Sequence, residues 1–257
     1  FCSLINFIRY FNVNVFLFLA LFIPEIGFYL FIDCPFRNLI ALGFSLLAFN
    51  KLFDNKTIPF FIYVALALCF HLSAIVMILV FFIYKKDMKT IFVLFSAFII
   101  YTLAFNIDFL IDYIYLPLTK ISPVIAERFD MYLTNSKFIS NKVNIGTFIR
   151  LFILLILLLY KENIVSGDKK RLYVFNLSML FLLIYPFGIS MKILQRFLLY
   201  LIPFYILSII YMLKSFQIKT NKYLIGLFFV LLSFFQTYNT VTADFRYVPY
   251  TNYLEYF

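Results

Sequence analysis

The residue type best able to move a proton near neutral pH occurs once in this chain. His71 is the only histidine among 257 residues, and it lies in Leu68-Cys69-Phe70-His71-Leu72-Ser73-Ala74-Ile75, inside an apolar run over residues 58–84. An imidazole in a membrane-type segment is costly unless it has a partner or a task. It can serve as a general base, as a ligand to an anion, or as a hydrogen bonder between helices. Arginine is the second informative type. Arg37 follows Pro35-Phe36, Arg128 sits in Glu127-Arg128-Phe129-Asp130, and Arg196 opens an apolar segment with Tyr200 one turn further on. A guanidinium fork stays charged and meets phosphate or carboxylate through two hydrogen bonds. Several such groups beside one imidazole suit a diphosphate. Each also has a plainer use: Arg196 as an interfacial anchor, Arg37 as an orientation signal, Arg128 as partner to its neighbouring carboxylates, and Tyr200 as a belt or packing residue.

Other chemistries lack their residues. Cys2, Cys34 and Cys69 are isolated and odd in number, so they form no disulfide framework or zinc site and read as small packing residues. There is no P-loop, no HExxH and no GxSxG with a histidine to serve it. No metal ion or other cofactor is expected.

The elements that must position these groups are membrane helices. The chain is 65% hydrophobic, 23% aromatic and only 13% charged, with a mean hydropathy of +0.98. A soluble domain of this size cannot hide that much apolar surface. The expected fold is all-α, a polytopic transmembrane bundle forming a single integral membrane domain over residues 1–257. Apolar segments fall at 13–32, 39–53, 58–84, 90–115, 147–160, 172–189, 197–213 and 223–238, which gives about 7–9 membrane segments at about twenty residues per crossing. Pro24-Glu25 inside the first predicts a kink or an inward-facing carboxylate. Residues 117–146 form the one long polar stretch, and a loop of that length tends to be functional. The formal net charge of +10 gathers in short loops, the pattern of orientation signals rather than of nucleic-acid binding.

Those charges conflict with a single span over residues 58–84. Lys85, Lys86 and Lys89, the 161–171 loop and the 214–222 loop read as cytoplasmic. One unbroken span at 58–84 would then put Lys51 and Lys56 outside and Arg37 inside. Twenty-seven residues make about 40 Å of helix, long for one upright crossing and short for two. A broken or re-entrant helix pair around His71 returns Lys51 and Lys56 to the cytoplasmic side and brings His71 and Arg37 to the outer face. Broken helices are tolerated where they line a cavity.

The motifs occur in a telling order. Pro35-Phe36-Arg37-Asn38-Leu39-Ile40-Ala41 is followed by a Lys-bearing loop and Phe70-His71-Leu72-Ser73-Ala74. Then come Glu127-Arg128-Phe129-Asp130-Met131-Tyr132-Leu133, Gln195-Arg196-Phe197-Leu198-Leu199-Tyr200 and Val248-Pro249-Tyr250. This series resembles the EpsG family of bacterial polysaccharide membrane proteins, relatives of the Wzy O-antigen polymerases. Members carry further N-terminal membrane segments, so the chain, which begins at Phe1, reads as the C-terminal portion of a longer protein. The resemblance implies a multi-pass glycosyltransferase of the bacterial cytoplasmic membrane. It would transfer a glycan from undecaprenyl diphosphate to a sugar hydroxyl of another lipid-linked repeat unit, at the outer face. Arg37, Arg196, Tyr200, Arg128 and Tyr132 would bind substrate. His71 would act as general base or as a further diphosphate ligand. The expected partners are the lipid-linked oligosaccharide, membrane lipids and other polysaccharide-export proteins, with no nucleic acid. A lipid-linked oligosaccharide flippase and a non-enzymatic export component are the alternatives. A flippase would carry charge through the depth of several spans, whereas here it collects at one face.

Overall fold

Long apolar runs can satisfy their own backbone hydrogen bonds inside a membrane only as helices or closed barrels. The computed structural model describes residues 2–27, 36–106, 145–190, 192–216 and 218–243, and every regular element among them is helical. These are α1 (Cys2–Tyr10), α2 (Val15–Phe22) with a π-helical turn (Ile23–Gly27), α3 (Phe36–Phe53), α4 (Thr57–Phe70), a 3-10 turn (Leu72–Ile75), α5 (Val76–Ile83), α6 (Thr90–Phe105), α7 (Ile145–Leu159), α8 (Lys161–Val165), α9 (Lys169–Ser190), α10 (Lys192–Ser215) and α11 (Lys219–Ala243). Among the described residues, three helices are long and apolar enough to cross a membrane: α3, the Lys169–Ile189 part of α9, and the Leu194–Ser215 part of α10. Six shorter apolar helices accompany them.

The core is built around α10, which is buried at every position over residues 198–213. A helix apolar on all sides has no solvent face to offer and is enclosed by its neighbours. α9 packs along it as an antiparallel partner. At Gly188 a Cβ would run into the Leu198 side chain. Glycine there lets α9 come close to the start of α10. On the outside, Phe16, Phe92, Phe95, Phe98, Phe152 and Leu159 are exposed, the outward apolar surface that lipid chains cover.

α4 and α5 form the second structural theme. The helical ladder stops at His71, whose backbone is extended at φ −153° and ψ 124°, and the chain turns back. Phe60 and Phe81 stand 21 residues apart, about 30 Å in a continuous helix, yet their rings stack with centroids 5.8 Å apart. Phe61 lies 5.0 Å from the same Phe81 ring. The 3-10 turn after His71 packs on both α3 and α10.

Polar contacts between loops define one end of the bundle. Tyr10 Oη donates to Asp54 Oδ1 at 2.5 Å, and Lys170 Nζ lies 3.8 Å from the same carboxylate. Lys161 Nζ donates to Asp87 Oδ1 and to the Met88 carbonyl, both at 2.8 Å. Asn176 Nδ2 reaches the carbonyls of Tyr84 and Lys86, and Lys214 Nζ that of Asn12 at 3.1 Å. The Lys-rich connections therefore meet at this end, the 51–56 loop included. The turn at His71 and the starts of α3 and α10 lie at the other.

Some boundaries differ from the sequence reading. α1 (Cys2–Tyr10) precedes the first apolar segment of the sequence. Pro186 lies inside α9, which continues to Ser190, and α11 runs past residue 238 to Ala243. Arg196 stands in the second turn of α10 rather than at its start. The 161–171 loop contains the short helix α8. Cys2 and Cys69, expected as packing residues, are exposed free thiols, because a lipid-facing position does not require a small side chain to be buried. Cys34 lies outside the described residues, as does the long loop up to residue 144.

Candidate functional site

His71 marks the break because its side chain replaces a lost helical bond. The Ser73 amide donates to His71 Nδ1 at 3.2 Å, so the imidazole caps the new turn. Ser73 Oγ lies 2.6 Å from the same nitrogen and 3.0 Å from Tyr200 Oη. A nitrogen that accepts from an amide N–H carries no proton. The network therefore runs from the Tyr200 hydroxyl to the Ser73 hydroxyl to Nδ1, leaving the hydrogen of a neutral ring on Nε2. That Nε2 has no hydrogen-bond partner among the described residues. Ser73 is 7% exposed and Tyr200 is fully buried, so the relay is shielded while the ring itself is partly open.

Arg37 and Arg196 arrive from α3 and α10. The 3-10 turn after His71 packs on both of those helices, and the Ser73–Tyr200 bond ties it to α10 one turn from Arg196. Phe44 stacks on Phe70 with centroids 5.7 Å apart, which sets Arg37 about two turns beyond the base of the break. Both arginines are exposed, and neither makes an ion pair or hydrogen bond among the described residues. His71, Arg37, Arg196 and Tyr200, separated by up to 163 positions in the sequence, thus occupy one end of the bundle. Arg128 and Tyr132 lie outside the described residues.

Sequence reasoning assigns no role to Arg150, yet it is the largest fully buried side chain among those described. It pairs with Glu25, on the π-helical turn of α2, and donates to Tyr205 Oη. Its guanidinium carbon lies 4.8 Å from the Tyr205 ring centroid and 5.2 Å from that of Tyr185. Ser233 Oγ donates to the other Glu25 oxygen at 3.2 Å. The inward carboxylate expected at Pro24-Glu25 is present and has a partner. A cation inside the apolar run 147–160 is itself a costly feature, and this is the signal that could have singled Arg150 out. The cage joins α2, α7, α9, α10 and α11.

Chemically, the bundle end offers an anion one imidazole N–H and two cations that are unpaired among the described residues. Among the described residues no group of three or more His, Cys, Asp or Glu could hold a metal ion. No curated protein and no solved structure matches the chain. The sequence profile of the EpsG family matches residues 1–252, close to the full length, and on that match the chain belongs to the EpsG family.

Proposed function

We propose that this chain is a polysaccharide repeat-unit polymerase. The family is one of polysaccharide-polymerase-like membrane proteins, and the observation that carries the reading is the placement of Arg37, Arg196 and His71 at one end of the bundle, by the packing of the 3-10 turn and the Ser73–Tyr200 bond, with no paired carboxylate among the described residues. The donor is a glycan held on undecaprenyl diphosphate. A sugar hydroxyl of a second lipid-linked repeat unit attacks the anomeric carbon. A new glycosidic C–O bond forms, the bond to the diphosphate oxygen breaks, and the acceptor proton leaves with the diphosphate product. Negative charge grows on the departing diphosphate, and guanidinium groups with no other partner among the described residues are available to stabilise it.

Arg37 and Arg196 hold the diphosphate in this scheme. With Nδ1 occupied by Ser73, His71 presents Nε2–H, so it serves as a third diphosphate ligand rather than as the base on the acceptor. Tyr200, buried beneath Ser73, is a positioning residue that fixes the imidazole tautomer. Arg128 and Tyr132 are assigned to binding the substrate from the outer side.

The membrane arrangement belongs to the same proposal. The Lys-rich end is cytoplasmic by the positive-inside rule. α4 and α5 are a re-entrant pair whose apex reaches the outer side of the inner membrane, where the lipid-linked substrate arrives. The protein is then multi-pass, with membrane lipids and other polysaccharide-export proteins as partners.

Glycans on the lipid carrier in a strain lacking this protein test the reaction. Single repeat units on the outer face are expected. A pool trapped on the cytoplasmic side would instead make the protein a flippase. Thiol labelling of a Lys56→Cys variant in which Cys2, Cys34 and Cys69 are replaced by Ser tests orientation, since two of these native thiols are exposed: the new thiol should react only after the membrane is permeabilised, and its labelling in intact cells would reject the re-entrant arrangement.

A further inference from the structure

At the end of the bundle away from His71, between α8, the first turn of α9 and the last turn of α10, lies a cavity of about 390 Å³. It is lined by Asn163, Ser166, Arg171, Tyr211, Lys214 and Ser215. The Arg171 guanidinium carbon lies 5.0 Å from the Tyr211 ring centroid, and Lys214 Nζ lies 5.9 Å from the same ring. Two cations are thus drawn to one aromatic side chain at the wall of a polar hollow.

Their charge is only partly compensated. Asp168 Oδ2 stands 3.8 Å from Arg171 Nε, beyond hydrogen-bond reach, and the Arg171 and Asp168 side chains are 37% and 50% exposed. Among the described residues Lys214 makes no ion pair; its ammonium donates to the Asn12 carbonyl. The hydrogens of the two wall hydroxyls are engaged, Ser166 Oγ donating to the Asn163 carbonyl at 2.6 Å and Ser215 Oγ to the Met212 carbonyl at 2.7 Å. The guanidinium and the ammonium are the charged donors of the lining, beside the amide of Asn163.

Holding like charges together in this way favours a bound anion, and the position favours a lipid. The cations sit in the terminal turns of two apolar helices, the depth at which phospholipid headgroups lie. Leu159 and Ile218, which precede and follow these elements in the chain, are exposed apolar residues. Basic pockets between helix ends on the cytoplasmic side suit anionic headgroups. We propose that this cavity takes a phosphate group, carried by an anionic phospholipid, between Arg171 and Lys214. The site is distinct from the His71 end and does not depend on the polymerase reading, only on the chain lying in a membrane.

The test uses the full chain purified into phosphatidylcholine nanodiscs doped with phosphatidylglycerol, with retained lipid counted by native mass spectrometry. Wild type should retain phosphatidylglycerol in preference to phosphatidylcholine. An R171Q/K214Q variant should lose that preference about thirtyfold, the worth of two basic groups beside an anionic lipid. A K56Q/K89Q variant, which removes exposed cations elsewhere at the same end, should keep it. Should R171Q/K214Q fail to fold, R171K/K214R keeps the charge and retains the lipid, with retention falling as salt is raised. A second arm follows thermal unfolding in inorganic phosphate. Stabilisation by phosphate that is lost in R171Q/K214Q, without any phosphatidylglycerol preference, would overturn the lipid as the source. Equal phosphatidylglycerol retention in wild type and R171Q/K214Q would overturn the site.

Discussion

Arg150 meets α10 at Tyr205, and Arg196 rises from the same helix nine positions, or about 13 Å, nearer its start. Arg150 is 1% exposed and enclosed by Glu25, Tyr205 and Tyr185. Arg196 is exposed and, like Arg37, lacks any ion-pair partner among the described residues. The same side chain therefore serves two ends. A guanidinium whose charge is already matched holds helices in place and has little left for a ligand. One whose charge is unmatched costs little in an exposed position and is available to an anion. Counting arginines does not separate the two uses; the company each keeps does.

The largest effect should come from breaking the matched region. Arg150→Met leaves Glu25 buried without its cation, and loss of one member of a buried pair costs about 3–5 kcal/mol. The protein should unfold at lower temperature in detergent and accumulate poorly. Replacing both partners, R150M/E25M, should restore much of that loss, because an apolar pair of similar volume carries no desolvation cost. If R150M melts as wild type does, the contrast with Arg196 disappears.

The unmatched region should respond in the opposite sense. Arg196→Lys and Arg37→Lys keep the charge but lose the planar fork. Both variants should accumulate and melt like wild type while polymer synthesis falls by about 100-fold, the scale of one lost preorganised donor. Polymer of normal length from R196K would remove Arg196 from the site.

A smaller effect is expected one step behind the ring. Ser73→Ala leaves the backbone amide on Nδ1 but removes the hydroxyl link to Tyr200. The net worth of one hydrogen bond, about 0.5–1.5 kcal/mol, limits the loss to roughly tenfold or less in polymer yield. Tyr200→Phe should cost about as much or less. In the double variant S73A/Y200F the losses should not add, since both residues act through one chain. Full additivity in polymer yield would mean that Tyr200 acts independently of the imidazole.

Much of this was legible because it is local. The apolar runs, the Lys-rich loops and a lone histidine in residues 58–84 are sums over neighbouring residues, and the break at His71 follows from their conflict. The grouping of His71 with Arg37 and Arg196 could be read from motif order and charge placement. Ser73 was visible only as one letter of a motif, since nothing local tells that its hydroxyl faces a tyrosine 127 positions away. The Glu25–Arg150 pair spans 125 positions, and each member looks like an isolated expense in its own segment.

By itself, then, the sequence determined the solvent this protein lives in, its helical character and which loops share a side, because the free energy of placing apolar and charged groups depends on composition along each segment. Only the tertiary structure decided which charges are neutralised and which are left open. That outcome rests on which helices pack against α10 and at what depth, and the energy of a charge depends on the distance to its partners rather than on its position in the chain.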